Sequence, residues 1–262
     1  ERKGWSRDEL SDRTMPTAGF DEGVEQTLDY GSRQFTLLLD TDFSLVLKNS
    51  DGKVIKSLPA PRKDDDPELA KAAKKQLSNT KKQVKQVLTQ QRERLFEAMC
   101  TQRSWRFDDW DTYVNRHPIV GRYCQQLVWA IYQPGTDGKT LIHTMRPLED
   151  RSLTEAEDEE VTLSPDAIVR LAHTCTVPAE AIAAWQTHFT DYNVTPLFPQ
   201  FRPNPYLLRE AQQQATEITD FEGHIIEAFK LRGLLSKRGY TRGQTEDAGW
   251  FYNYCKRFAG LG

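Results

Sequence analysis

The chain contains 262 residues, of which 38% are hydrophobic and 28% charged, and its formal net charge is −3. The apolar fraction is enough to build a substantial core, so the composition excludes a wholly disordered chain. The slightly negative net charge argues against a protein that binds nucleic acid or anionic membranes over its whole surface, although it allows a local basic patch. No run of about 18 apolar residues occurs, so we predict no membrane span.

The first 33 residues are polar and rich in turn formers, and their opening stretch, ERKGWSRDEL, contains no apolar signal-peptide core. Because the chain starts without Met and ends abruptly, we expect it to be a fragment of a longer protein. Three β-rich segments follow, at 34–40, 43–49 and 53–59. Asp51-Gly52 between the last two is a strong hairpin signal. This pattern predicts a three-stranded antiparallel meander.

A very long helix is predicted from about residue 66 to residue 102, because neither Pro nor Gly interrupts the chain after Pro67. Asp66 suits the N-cap, and Pro67 suits the first helical position. On a helical wheel six lysines share one side and apolar residues lie opposite, which favours a solvated face over a phosphate-binding stripe. These lysines are Lys71, Lys74, Lys75, Lys81, Lys82 and Lys85.

The segment WDTYVNRHPIVGRYCQQLVW, residues 110–129, offers a Cys–His pair as a possible reacting site. Pro118 favours the start of a helix, and seven residues of helical rise would separate His117 from Cys124 by about 10 Å. A nucleophile and its base need hydrogen-bond contact, so only a histidine from another segment could activate Cys124. We therefore predict a corner between two helices. Its expected core residues are Trp110, Tyr123 and Leu127.

The remaining elements follow in chain order. A second hairpin is predicted from 127–133 and 139–146, and the acidic segment 149–160 is expected to be an exposed loop without the spacing of a calcium site. Residues 164–177 fit either a short helix or a strand, whereas 178–192 form a clear amphipathic helix. The tail predicts helices at 208–219 and 224–238 and a strand within 249–258.

The four cysteines are dispersed and form no Cys-x-x-Cys pair, which is typical of reduced, buried thiols in a cytoplasmic protein. His173-x-Cys175 is the nearest approach to a metal or redox element, but zinc needs more convergent ligands. A buried thiol beside a hydrogen-bonded histidine is therefore the favoured interpretation. We predict no cofactor and no metal. The weak catalytic candidates are His117, Cys124, His173 and Cys175.

One local basic patch stands out near the end of the chain, where aromatic residues alternate with cations. Such a pattern can grip a nucleic-acid backbone and stack bases, but the same cations could pair with the acidic segment or with other domains. The patch consists of Lys230, Arg232, Lys237, Arg238, Arg242, Lys256 and Arg257, with Trp250, Tyr252 and Tyr254 beside them.

No phosphate-binding loop, dinucleotide fingerprint, nucleophile elbow or metalloprotease motif occurs. However, the blocks DRTMPTAGFDEGVEQTLDYGSRQFTLLLD (12–40), RSWRFDDWDTYVNRHPIVGRYCQQLVWAIY (103–132), AHTCTVPAEAIAAWQTHFTDYNVTPLFPQ (172–200) and LLSKRGYTRGQTEDAG (234–249) occur in a recognisable order. Together with the long Lys-rich helix they resemble the bacterial MolR-like family. The chain departs from the family pattern at Thr174, where Pro is common, and at Tyr240, where Trp is common.

The resemblance implies a large domain of unknown function that often lies C-terminal to a Trp-Gly-Arg (WGR) domain. It supplies no catalytic residues, and it implies DNA-linked regulation only by association.

The sequence thus predicts an α+β fold, as one domain or as two tightly packed lobes near 1–102 and 103–262. We interpret the chain as a non-catalytic regulatory or scaffold module whose partners are other domains or proteins. A nucleic-acid-binding module and an enzyme of unrecognised type are the alternatives.

Overall fold

The computed structural model describes residues 4–20, 23–135, 140–202, 208–243 and 254–256. It shows the α+β fold that the sequence predicts, with antiparallel sheets and one very long helix. The chain divides into two compact units, Glu1–Arg202 and Pro203–Gly262. Among the described residues, no helix is both long and apolar enough to cross a membrane.

The first unit begins with helix α1 (Arg7–Arg13) and a four-stranded antiparallel sheet in which the strands lie in chain order. The strands are β1 (Glu25–Asp29), β2 (Gln34–Leu39), β3 (Leu45–Lys48) and β4 (Val54–Ile55). The predicted meander is confirmed as β2–β4, but strand β1 was missed.

Gln26 explains why β1 was missed. Its side chain lies on the buried face of the strand, where alternation would call for an apolar residue. The amide nitrogen donates to the Ala18 carbonyl at 2.8 Å, and the amide oxygen accepts from Thr80 Oγ1 and Gln76 Nε2, both at 3.2 Å. A buried polar group is stable only with such partners, and those partners are distant in sequence.

Helix α2 (Pro67–Thr101) confirms the long helix and its predicted start. Asp66 is the N-cap, and its Oδ1 accepts from the Glu68 and Leu69 amides at 2.8 and 3.1 Å. The helix ends where Gln102 adopts a left-handed conformation, with φ of 52°. All six lysines of the predicted lysine face are exposed, and Ala70, Ala73, Val84 and Val87 are among the residues buried opposite them.

A tight corner of short elements follows the long helix. They are β5 (Trp105–Arg106), α3 (Phe107–Trp110), a π-helical turn (Asp111–Asn115) and α4 (Gly121–Cys124). The helix predicted to start at Pro118 is wrong, because residues 118–120 form turns and only one helical turn follows. The nitrogen His117 Nδ1 accepts from the amides of Ile119 and Val120, both at 3.2 Å, and this holds the turn.

A five-stranded antiparallel sheet has the order β5-β9-β6-β7-β8. Its further strands are β6 (Trp129–Tyr132), β7 (Leu141–Pro147), β8 (Leu153–Thr154) and β9 (Ile168–Leu171), and helix α5 (Ala179–Asp191) follows them. The second hairpin and α5 are confirmed. The ambiguous segment 164–177 contains a strand, since β9 pairs with β5 and β6 on its two sides. The expectation of a wholly exposed acidic loop is wrong, since β8 lies within it and is buried.

The main hydrophobic core of the first unit draws on residues from both sides of position 102. Trp110, Tyr123 and Leu127 are buried in it, as predicted, and the Trp110 and Trp129 rings meet edge to face with centroids 4.9 Å apart. Val87 and Met99 of α2 belong to the same cluster. The division into lobes 1–102 and 103–262 stays a prediction, although this shared core does not support it.

The second unit consists of short elements. They are α6 (Glu210–Gln213), a 3-10 turn (Thr219–Phe221), α7 (Ala228–Lys237) and the paired antiparallel strands β10 (Thr241–Arg242) and β11 (Tyr254–Cys255). The predicted helices at 208–219 and 224–238 are therefore too long. Residues 249–253 of the predicted terminal strand lie outside the described residues.

Candidate anion-binding cleft

A cleft of about 1190 Å³ lies within the first unit. Its lining comes from the corner that contains α4, from the turn between β7 and β8, from the end of α5 and from the segment around Phe20 and Val24. Most enzyme and ligand sites are concave spaces with a few convergent polar groups. The polar groups of this cleft are mainly arginine and amide side chains, among them Arg116, Arg122, Arg146, Arg151, Asn115, Gln125 and Gln126.

Arg146 of β7 is the most buried cation of the cleft, with 7% of its surface exposed. Its Nη1 donates to the Gln125 carbonyl at 2.8 Å, and its Nε has no hydrogen-bond partner among the described residues. Burial lowers the pKa of the guanidinium, while Asp158 and Tyr192 act in the opposite direction. Arginine nevertheless remains charged in proteins, so the cleft holds a buried positive charge.

Arg122 of α4, one helical turn before Gln125, likewise has one guanidinium donor bonded to a carbonyl and one without a partner among the described residues. Its Nη2 donates to the Leu39 carbonyl at 2.7 Å, and its Nη1 has no hydrogen-bond partner in the described part of the chain. Burial lowers the pKa of Arg122, and Asp40, Glu149 and Asp42 oppose that shift from beyond ion-pair distance.

Other half-buried arginines of this unit show how a carboxylate can balance the charge of a guanidinium. Four of them form ion pairs with carboxylates: Arg13 with Asp109, Arg33 with Asp65, Arg94 with Asp12 and Arg103 with Asp12. Arg122 and Arg146 form no ion pair with any described residue. A buried charge without a carboxylate in direct contact is unfavourable, so among the described residues these two arginines are the best placed to bind an anion.

The rim of the cleft carries charges of both signs. Glu149 and Asp150 lie on the turn between β7 and β8. The Asp150 carboxylate accepts from the Ser152 amide and hydroxyl at 3.0 and 2.7 Å, which lowers its pKa and commits it to the turn. Arg151 lies on the same turn, and Arg116 on the opposite rim pairs with Asp111.

Tyr192, directly after α5, forms an aromatic wall of the cleft. Its hydroxyl donates to Asp158 Oδ2 at 2.6 Å, and its ring packs on the His188 ring with centroids 4.5 Å apart. Even so, 54% of the side chain is exposed. The ring is thus held at its hydroxyl and on one face while much of it faces solvent.

The predicted pair His117 and Cys124 lies beside this cleft but is not arranged for catalysis. His117 lines the cleft, and its Nδ1 is engaged in the turn described above. Burial lowers the pKa of His117, opposed by the nearby Met15 and Pro16 carbonyls. Cys124 is fully buried, and burial raises the pKa of its thiol. A thiol without solvent access and with a raised pKa is a poor nucleophile.

The pair His173 and Cys175 is brought together only by a local turn. The Cys175 amide donates to His173 Nδ1 at 3.2 Å. Burial lowers the pKa of His173, and the charge of Arg202 adds to this effect. The prediction of buried thiols is correct only for Cys124, since Cys100, Cys175 and Cys255 are exposed. Within the described ranges, no group of three or more His, Cys, Asp or Glu side chains is placed to hold a metal.

The basic patch near the end of the chain belongs to the second unit, and the β10–β11 pair gathers part of it. Arg232 Nε donates to the Tyr254 hydroxyl at 3.1 Å, and Arg242 lies opposite Tyr254 in the strand register. Lys230 instead pairs with Glu227 at 3.1 Å, while Lys237 and Arg238 end α7 on its exposed surface. Lys256 follows β11 directly. Arg257, Trp250 and Tyr252 lie outside the described residues.

Sequence reasoning missed the arginine cleft because its members carry no motif. Arg122 and Arg146 lie on a helical turn and a strand that meet only in the tertiary structure. One weak signal was present: Arg146 follows the buried Met145 in a strand pattern, and a cation within a buried strand needs an explanation.

Comparison with known proteins identifies the family. Residues 52–240 match the family described as "Domain of unknown function (DUF4132)". The chain belongs to this family. It is also similar to "Uncharacterized protein YehI" of Escherichia coli (strain K12), with 32% identity over 253 residues. The match covers 97% of this chain but 21% of that protein, so the chain spans about a fifth of its relative's length. No solved structure matches.

Proposed function

We propose that this domain is a non-catalytic regulatory module that binds an anionic small molecule in the arginine cleft. The observation that carries the proposal is the buried guanidinium of Arg146, which has an unused donor and no carboxylate partner among the described residues. A bound anion would give this guanidinium a counter-charge in direct contact, in a site of low dielectric where charged hydrogen bonds are strong.

The wider context of the proposal follows from the resemblance to the MolR-like family. In that context the domain works inside a larger cytoplasmic bacterial protein, in some members beside a WGR domain. Binding of the anion would be passed to other domains or to protein partners. The exposed lysine face of α2 is a suitable surface for an acidic partner, and this is the scaffold part of the proposal.

The proposal is tested by comparing the thermal stability of the protein in inorganic phosphate and in chloride at equal ionic strength. A ligand that binds only the native state raises its stability, so phosphate should raise the melting temperature of the wild type. Arg146→Met and Arg122→Met should remove this increase. Arg106→Met removes an exposed arginine that does not line the cleft, and this matched control should respond to phosphate as the wild type does.

Each variant is compared with itself in the two salts, so a change in its intrinsic stability does not affect the result. Equal responses of Arg146→Met and Arg106→Met would show that the cleft is not the anion site. A wild type that responds to neither phosphate nor sulfate, by melting temperature and by calorimetric titration, would end the proposal.

The basic patch supports a second candidate function, contact with nucleic acid. The favouring observation is that strand pairing places Arg242 beside Tyr254, to which Arg232 is hydrogen-bonded. Cations that alternate with an aromatic ring suit a nucleic-acid backbone and its bases.

Fluorescence anisotropy with labelled duplex and single-stranded DNA, at several salt concentrations, tests this second candidate. Arg232→Ala combined with Arg242→Ala should weaken binding and reduce its salt dependence. Lys82→Ala combined with Lys85→Ala, on the lysine face of α2, is the control with the same charge loss. Binding that survives the first pair but not the second would assign DNA contact to the helix instead.

A further inference from the structure

The aromatic wall and the buried arginine line the same cleft, and this arrangement narrows the class of ligand. Tyr192 and Arg146 each affect the other's pKa, which places the phenol and the guanidinium within electrostatic range. Both side chains line the same cleft. An anionic group bound at Arg146 would therefore leave the rest of its molecule beside the Tyr192 ring.

The donors of the cleft indicate what kind of anion fits. A carboxylate has two oxygens in one plane, and it suits the parallel N–H groups of a single arginine. Here the cations belong to two arginines on different elements, Arg122 and Arg146, which both line the cleft. Two separate cations suit a doubly charged group with three acceptor oxygens. A terminal phosphate is such a group.

The Tyr192 ring indicates what the phosphate is attached to. Its hydroxyl bond to Asp158 and its packing on His188 hold the ring in place before any ligand arrives. A fixed and half-exposed ring is a stacking platform for a planar heterocycle. Because the ring is already ordered, stacking on it requires little further loss of side-chain entropy.

We infer that the ligand of the cleft is a nucleoside phosphate, with its phosphate on Arg122 and Arg146 and its base on Tyr192. This inference rests on the proposed anion-binding function and specifies its ligand. A cleft of about 1190 Å³ has room for a mononucleotide, since pockets for molecules of that size span roughly 300–1000 Å³. Gln125 and Gln126 line the same cleft and have amide groups that suit the sugar hydroxyls.

Calorimetric titration of the full chain with AMP and inorganic phosphate tests the inference. AMP should bind at least about fivefold more tightly than phosphate, because base stacking adds to the arginine contacts. Tyr192→Leu should remove this advantage and leave phosphate affinity unchanged. Tyr192→Phe keeps the ring but loses the Asp158 bond, and it should retain most of the AMP advantage. Arg146→Met should weaken the binding of both ligands.

These titrations distinguish a failure of the nucleotide assignment from a failure of the proposed anion-binding function on which it rests. If phosphate binds but AMP binds no more tightly, or if Tyr192→Leu leaves AMP affinity unchanged, the nucleotide assignment is overturned and anion binding stands. If neither phosphate nor AMP binds to the wild type, both are overturned. Circular dichroism of Tyr192→Leu should match the wild type, because residue 192 is exposed and follows the last turn of α5. Should that variant fail to fold, Tyr192→Val is compared in the same titrations.

Discussion

Among single residues, two arginines of the first unit differ in whether a carboxylate pairs with their guanidinium group. Arg103 forms an ion pair with the buried Asp12, which also accepts from Arg94 and from Trp105 Nε1. Arg146 donates to the Gln125 carbonyl and forms no ion pair with a carboxylate among the described residues. Removing one member of a buried pair leaves an uncompensated charge, whereas removing an unpaired buried charge takes away an unfavourable interaction.

We therefore predict that Arg103→Met lowers the free energy of unfolding by about 2 kcal/mol, because Asp12 loses one of its cationic partners. Arg146→Met should leave the free energy of unfolding unchanged or raise it by about 1 kcal/mol in a buffer without multivalent anions. Urea unfolding in chloride measures both values. A large loss of stability in Arg146→Met would show that this arginine is a structural residue, which would weaken the case for a binding role.

Cys124 gives a prediction about pH. Burial raises the pKa of its thiol in the native protein, whereas the unfolded chain ionises at the ordinary value of about 8.5. Above that pH the unfolded state releases a proton that the native state keeps, so stability falls as pH rises. Relative to Cys124→Ala, the wild type should lose about 1.4 kcal/mol between pH 7.5 and pH 9.5. Urea unfolding at several pH values measures this difference.

The exposed Cys175 provides the control for that measurement. Cys175→Ala removes an exposed thiol and is measured across the same pH range. Parallel curves for the wild type and Cys124→Ala would mean that solvent reaches Cys124. In that case the Cys124 thiol would be accessible to act as a nucleophile.

At the scale of elements, the corner before β6 depends on a close approach of two backbones. A side-chain carbon at Gly121 would lie 2.1 Å from the carbonyl oxygen of Asn115, which ends the π-helical turn. That distance is far below van der Waals contact, and the obstacle is backbone rather than a movable side chain. Gly121 thus permits the close backbone packing beside Arg122, which lines the cleft.

We predict that Gly121→Ala lowers the free energy of unfolding by about 1–3 kcal/mol, because the corner must open to admit the methyl group. It should also weaken phosphate binding, since Arg122 is the next residue. Gly233→Ala in α7 is the matched control, because nothing lies within 4 Å of its added carbon. That substitution should be neutral or stabilising by about 0.5–1 kcal/mol through helix propensity. Equal effects of the two substitutions would contradict the role of the close approach.

The elements also show which features local sequence can predict. The start of α2 was predictable because Asp66 and Pro67 act within one turn, and its lysine face because helical periodicity is local. Strand β1 was not, because buried Gln26 is compensated by groups about 8 to 54 residues away. The helix predicted from Pro118 was wrong. The close approach to Gly121 comes from another backbone segment, at Asn115, and local sequence does not show it. The cleft was missed for the same reason, since an unpaired arginine is recognised only when its surroundings are known.

At the scale of the whole molecule, the question is which part of the chain folds as one unit. The lobes predicted from the sequence meet at residues 102 and 103. In the structure, Val87, Leu95 and Met99 of α2 lie in one core cluster with Trp105, Trp129 and Val169. The three hydrophobic clusters found among the described residues all lie within Glu1–Arg202. Separating the chain after residue 102 would expose the apolar surface on both sides of this core.

We predict that a fragment of residues 1–202 folds alone and unfolds in urea in a single cooperative transition. Fragments 1–102 and 103–202 should each fail to fold when made separately, because neither keeps the shared core that supplies most of its hydrophobic stabilisation. Far-ultraviolet circular dichroism and amide proton dispersion in NMR spectra check each fragment. The cleft residues that we assign all lie before position 203, so the 1–202 fragment should also retain the phosphate response of the full chain. Independent folding of 1–102 would instead support the lobe boundary predicted from the sequence. Helix α2 would then be the last element of a separate lobe and not part of a core shared with residues after 102.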